Sequence, residues 1–150
     1  MRPSKKKPLP NSILLDLASI LAYVFAGDKL HESASRLIQE VETKDIRTYI
    51  SEVTPYEAEA LFLSGKVSVL GQAWNSFAAR LRQDPLFPRI PVTPRIFSEH
   101  LSYYGKSGRG FTYFDSYHLA TCKVSGLPIV TSDRAMLSDD SVESINLADF

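Results

Sequence analysis

The run Leu127-Pro128-Ile129-Val130-Thr131-Ser132-Asp133 directly follows a segment, 112–124, that has helical length and is apolar on almost every side. A short stretch apolar at consecutive positions needs cover on both faces, and a helix without a polar face belongs at the centre of a fold. The pair therefore predicts a central helix from Thr112 to Val124, stopped by Gly126, and a buried strand at 127–130. Asp115 falls in the first turn of that helix and Asp133 just beyond the strand. In a parallel α/β sheet, strand ends and helix starts lie on one edge, so both carboxylates are expected there. Two acids on one edge suggest a metal site.

Further strand-sized and helix-sized segments alternate along the chain. Ile13-Leu14-Leu15 is a short apolar run ending at Asp16, and residues 17–26 look helical. Leu30, Ala34, Leu37, Ile38 and Val41 form one face of an amphipathic helix. A strand is expected at 47–50 and a helix from Thr54 to about Ser64. Leu70, Ala73, Trp74, Phe77, Ala78 and Leu81 make another helical stripe, closed by Asp84-Pro85. Arg89-Ile90-Pro91-Val92 reads as a short strand, its proline pointing to an edge or a strand end, Phe97, Leu101 and Tyr104 mark the next helix, and 144–147 reads as a last strand. Such alternation predicts a three-layer α/β/α sandwich around a mostly parallel sheet.

At 150 residues with 44% hydrophobic and 23% charged side chains, the chain has the composition of one globular domain. Residues 1–11 carry three prolines and a basic cluster and are expected to be a flexible tail, leaving 12–150 as the domain. No apolar run approaches the roughly 20 residues of a membrane helix, and the start lacks a signal-peptide core. The single cysteine, Cys122, fits a reducing cytoplasm and a buried helix position better than a reactive thiol. With 17 basic and 17 acidic residues the chain has no net charge to bind long nucleic acid nonspecifically. Cations in the 105–110 loop suit phosphate contact or a plain connector equally well.

Asp16 and Glu57 extend the acidic pair. Asp16 ends the first strand, and Glu57 lies three residues after Thr54, as Asp115 lies three after Thr112. All four acids are expected to project from one sheet edge. Each has a structural reading as well: Thr54-Pro55-Tyr56-Glu57 is a good capping box, Thr112 to Asp115 a poorer one, and Asp16 and Asp133 are natural N-caps. Jointly, however, four carboxylates repel and raise one another's pKa unless a cation intervenes. Magnesium-like ions favour oxygen ligands and keep several waters, whereas no His or Cys grouping offers a zinc site. His118, one turn beyond Asp115, reads as a packed core histidine or as a support for that acid. His31 and His100 have no partner pattern, Trp74 reads as core or dimer contact, and Asp139-Asp140 as a solvated turn.

Ser12-Ile13-Leu14-Leu15-Asp16, Thr54-x-x-Glu57, Phe114-Asp115-x-x-His118-Leu119-Ala120 and Ile129-Val130-Thr131-Ser132-Asp133 occur in the order seen in PIN-domain nucleases, which the chain resembles over roughly 12–149. That resemblance implies a PIN-like fold, with Asp16, Glu57, Asp115 and Asp133 as catalytic ligands of one or two Mg2+ or Mn2+ ions. Thr131 and Ser132 would be supporting polar groups. It further implies an endoribonuclease that hydrolyses RNA phosphodiesters by in-line attack of metal-activated water. A compact chain of this kind looks most like the VapC-type toxins of toxin–antitoxin pairs, implying an antitoxin partner and a homodimer. One departure is Ala18, where many members carry Ser, Thr or Asn; Ser19 follows one position later. The alternative is a catalytically silent PIN-like module that binds RNA or protein. A small-substrate phosphohydrolase is a weaker reading, because the chain lacks an Asp-x-Asp start.

Overall fold

The computed structural model describes residues 7–65, 77, 79–81, 83, 87–105 and 110–150. Five strands form one parallel sheet: β1 (Ser12–Leu15), β2 (Arg47–Ser51), β3 (Arg89–Ile90), β4 (Ile129–Thr131) and β5 (Ser144–Asn146). Their order is β3-β2-β1-β4-β5. The chain thus builds outward from β1 in one direction, then returns to place β4 on its other side. The reversal lies between β1 and β4, the switch point where parallel sheets open a crevice.

The helices are α1 (Leu17–Val24), α2 (His31–Thr43), α3 (Thr54–Leu63), α4 (Pro94–Tyr104), α5 (Tyr113–Ser125) and the short α6 (Arg134–Leu137). Residues 77, 79–81 and 83 are also helical, with Phe77 and Leu81 buried. Leu70, Ala73, Trp74 and Ala78, which complete that expected stripe, lie outside the described residues, as do residues 106–109 of the basic loop.

Alternating side chains divide the core into two layers. Ile13, Leu15 and Val130 pack with Leu37, Val41 and Leu147 on one face. Leu14 and Ile129 pack with Ile96, Leu119 and Ala120 on the other. That is the expected three-layer α/β/α sandwich, and its sheet is parallel throughout. The central helix α5 is buried from Asp115 through Cys122 and ends on Gly126, whose φ of 67° suits glycine. Burial pushes the Cys122 thiol pKa up, so it is an inert core residue.

Three local expectations need correction. The stripe Phe97, Leu101 and Tyr104 is exposed, and α4 instead buries Ile96, His100 and Tyr103. The neighbouring stripe wins because His100 lies flat on Tyr117, ring centres 3.6 Å apart. Asp139 is buried, accepting from the backbone and hydroxyl of Ser141, so only Asp140 is solvated. The Thr54 capping box does not form. Val53 occupies the N-cap position in helical conformation, Thr54 is the first helical residue, and its hydroxyl is buried without a hydrogen-bond partner.

Among the described residues, no helix is long and apolar enough to cross a membrane.

Candidate active site

The register of β1 against β4 sets Leu15 beside Val130, so the residues that follow, Asp16 and Thr131, meet at the carboxyl edge. Thr131 Oγ1 donates to Asp16 Oδ2 at 2.6 Å and accepts from the Asp133 backbone N–H at 3.0 Å. One hydroxyl therefore ties the acid after β1 to the acid after β4. Asp16 also caps α1 by accepting from the Ser19 N–H at 2.8 Å, while the Ser19 hydroxyl donates to the Val130 carbonyl. Ala18 is exposed, and the buried serine beside it supplies the polar contact at this turn. Asp133 caps α6 through the Met136 N–H and faces solvent; Ser132 is half-buried beside it.

Asp115 belongs to a complete capping box. Thr112 Oγ1 accepts from the Asp115 N–H at 3.1 Å, and the Asp115 carboxylate accepts from the Thr112 N–H at 3.0 Å. Glu57, freed from the box expected of it, reaches across to α5. Its Oε2 accepts from His118 Nε2 at 2.7 Å, and the histidine is wholly buried. The other ring nitrogen, Nδ1, is buried without a partner.

These groups form one electrostatic unit. Burial raises the Asp16 carboxyl pKa, opposed by hydrogen bonds from Thr131 and Ser19 and by the charge of His118. Burial likewise raises Asp115; the Thr112 bonds oppose that, Asp133 adds to it and His118 opposes it. Burial alone would lower the His118 imidazole, but Glu57, then Asp16 and Asp115, outweigh it and leave its pKa raised. The histidine is thus the basic group set among three acids, while Asp133 acts on Asp115 from the solvent side. Sequence reasoning placed His118 near Asp115 and missed Glu57 as its partner, because a contact spanning 61 residues leaves no local pattern. In the sequence Ser19 is only a serine one position late; the structure buries it on α1 beside Ile20.

A sequence model of the PIN domain matches residues 13–139. The chain belongs to the PIN-domain family. Solved structures share its fold across most of its length. FitAcB from Neisseria gonorrhoeae is 23% identical, covering 90% of this chain and 97% of that one, with a TM-score of 0.64. VapC20 from Mycobacterium tuberculosis, described as a sarcin-ricin loop cleaving toxin, is 20% identical, covering 83% and 92%, with a TM-score of 0.67. VapBC2 from Rickettsia felis, bound to a promoter DNA fragment, is 12% identical, covering 90% and 98%, with a TM-score of 0.63. No curated protein sequence matches. At these identities the likeness defines a PIN fold.

The donor chemistry of this PIN domain's edge suits a hard divalent cation. All four acids offer oxygen, and burial raises the pKa of Asp16 and Asp115, a cost to their charged forms that a bound cation would offset. In the arrangement seen, each acid also accepts a hydrogen bond from a protein donor. Among the described residues, no three His, Cys, Asp or Glu side chains stand close enough to enclose an ion. An ion here would accordingly rest on one or two of these carboxylates and otherwise on its own waters, several of which magnesium commonly retains.

Proposed function

We propose that this PIN domain is a cytoplasmic, metal-dependent endoribonuclease, the toxin of a toxin–antitoxin pair. Asp16, Glu57, Asp115 and Asp133 would hold one or two Mg2+ or Mn2+ ions. The observation that carries the reading is the Asp16–Thr131–Asp133 connection at the β1/β4 switch point, buried at its Asp16 end, with Asp115 and the Glu57–His118 pair coupled to it.

When bound, the metal supplies positive charge for the attacked phosphate and lowers the pKa of water. The chain's own groups supply position. Thr131 fixes the Asp16 carboxylate, Thr112 fixes Asp115, and the N-cap bond to Met136 fixes Asp133. Ser132, half-buried between Thr131 and Asp133, would be a supporting polar group for water or substrate. No side-chain nucleophile is required, and the buried thiol of Cys122 takes no part.

Toxin–antitoxin relatives among the similar structures support the antitoxin partner. The homodimer is supported by exposed apolar side chains, Tyr56 and Leu63 on α3 and Phe97, Leu101 and Tyr104 on α4. A silent binding module is the less favoured reading because all four acids are present at the edge.

The test is cleavage of RNA by the wild type, Asp16→Asn and Asp133→Asn with magnesium or manganese. Metal-dependent cleavage by the wild type alone is expected. Activity that survives chelation would sink the mechanism.

A further inference from the structure

Glu57 departs from the other three acids in how it is held. Asp16, Asp115 and Asp133 each accept a backbone N–H at the start of the helix they open. Glu57 has no such tether, because α3 starts without a side-chain cap. Its carboxylate is held instead by His118 Nε2 at 2.7 Å, from a side chain with no exposed surface. His118 sits one turn after Asp115 on the most buried stretch of the central helix, so it is a fixed post rather than a movable arm. A glutamate has three side-chain torsions to order, and without this bond it would be free to swing back toward the start of its own helix.

We infer that His118 is the positioning residue for Glu57: its Nε2–H holds the one acid the backbone does not hold and keeps it at the acidic edge. The inference rests on the metal-binding reading above. Groups that hydrogen-bond a liganding carboxylate are worth about 10- to 100-fold in metal affinity. His118 keeps one Glu57 oxygen occupied and leaves the other for an ion.

Two substitutions separate this role from simple packing. A glutamine amide can place its nitrogen where Nε2 stands, whereas the shorter asparagine cannot reach Glu57. Both put a neutral amide into the same buried space. Mn2+ binding would be measured by isothermal titration calorimetry without RNA, on wild type, His118→Gln, His118→Asn and Glu57→Gln, with folding checked by circular dichroism. The expected result is near-wild-type affinity for His118→Gln and a loss of about 10- to 100-fold for His118→Asn. Combining His118→Asn with Glu57→Gln should then cost little more than Glu57→Gln alone. Equal losses in His118→Gln and His118→Asn, or full additivity with Glu57→Gln, would overturn the positioning role. If His118→Asn does not fold, a loss in His118→Gln as large as that in Glu57→Gln overturns it too. Failure of the wild type itself to bind Mn2+ overturns the metal reading, a separate outcome from an affinity unchanged by His118→Asn, which overturns only the role of His118.

Discussion

Two helices in this domain open on the same pattern, threonine followed three residues later by an acid, and they use it in opposite ways. At α5, Thr112 and Asp115 exchange hydrogen bonds and close a capping box. At α3, Thr54 is already inside the helix, its hydroxyl has no partner, and Glu57 bonds to His118 on the other helix. A motif of this kind specifies what the side chains can do. Which option is taken depends on how the preceding strand delivers the chain. Here β2 leads into Val53 in helical conformation, whereas Thr112 arrives extended, with a ψ of 169°. The outcome is two acids at one edge, one locked by its own helix and one by a neighbour.

The largest test of that comparison is catalytic. If both acids serve the metal despite their different tethers, Glu57→Gln and Asp115→Asn should each reduce RNA cleavage by at least about 100-fold. That floor follows because even supporting partners of ligands cost 10- to 100-fold. Near-normal cleavage by Glu57→Gln would make Glu57 a structural counter-charge for His118 and leave Asp115 alone in the site.

Metal binding gives a smaller and cleaner measure. Magnesium at ~100 times its dissociation constant should stabilise the wild type by roughly 2.7 kcal/mol. Without metal, Asp115→Asn should be as stable as wild type or more so. Asparagine can still accept the Thr112 N–H, and it removes a buried charge near Asp133. A clear drop in metal-free melting temperature would show that the capping box needs the charge itself.

The pH dependence follows from the same groups. Asp16 and Asp115 have pKa values raised above the ordinary 3.8, so the folded chain keeps their protons after the unfolded chain has lost them. Stability therefore falls as pH rises from that value through the raised ones. His118 is raised above its ordinary 6.5; its contribution is complete below that value and is lost as pH rises through the folded pKa. Both effects have the same sign, so the chelated protein should lose thermal stability as Asp16 and Asp115 ionise above about pH 4, and again as His118 loses its proton above 6.5. Asp115→Asn should flatten the acidic part of that profile and His118→Gln the part above 6.5. A chelated wild type that gains stability across this range would contradict the electrostatic unit.

The strand and helix alternation was legible because each segment carries a local pattern: Ile13-Leu14-Leu15 and Ile129-Val130 are apolar at consecutive positions, and α2 shows a clean stripe. The positions of the four acids, after strands or in first helical turns, were legible for the same reason, since strand ends and helix starts can be counted along the chain. What escaped was the choice between alternatives that local pattern leaves equal. On α4, two adjacent stripes are both aromatic, and stacking of His100 on Tyr117 decides which faces inward. At Asp139, a following serine and the nearby Tyr103 turn an apparent surface acid into a buried one. Glu57 and His118, 61 residues apart in the chain, meet only in the folded structure. Long-range contacts of this kind are set by how the sheet is ordered, and the helix starts themselves carry no mark of it.

The smallest predicted effect isolates the two threonines. Valine has nearly the shape of threonine without its hydroxyl, so Thr→Val at each position removes only the hydrogen-bonding group. At Thr112 the hydroxyl accepts the Asp115 N–H, and losing an N-cap of this type costs about 1 kcal/mol. At Thr54 the hydroxyl is fully buried with no partner, a desolvated group that yields nothing in return. Thr54→Val should therefore leave stability unchanged or raise it by up to about 1 kcal/mol. Urea unfolding of the two variants with chelator would show a loss for Thr112→Val and none for Thr54→Val. A loss at both positions would mean that the Thr54 hydroxyl does find a partner in solution, and that the two helix starts are more alike than their geometry indicates.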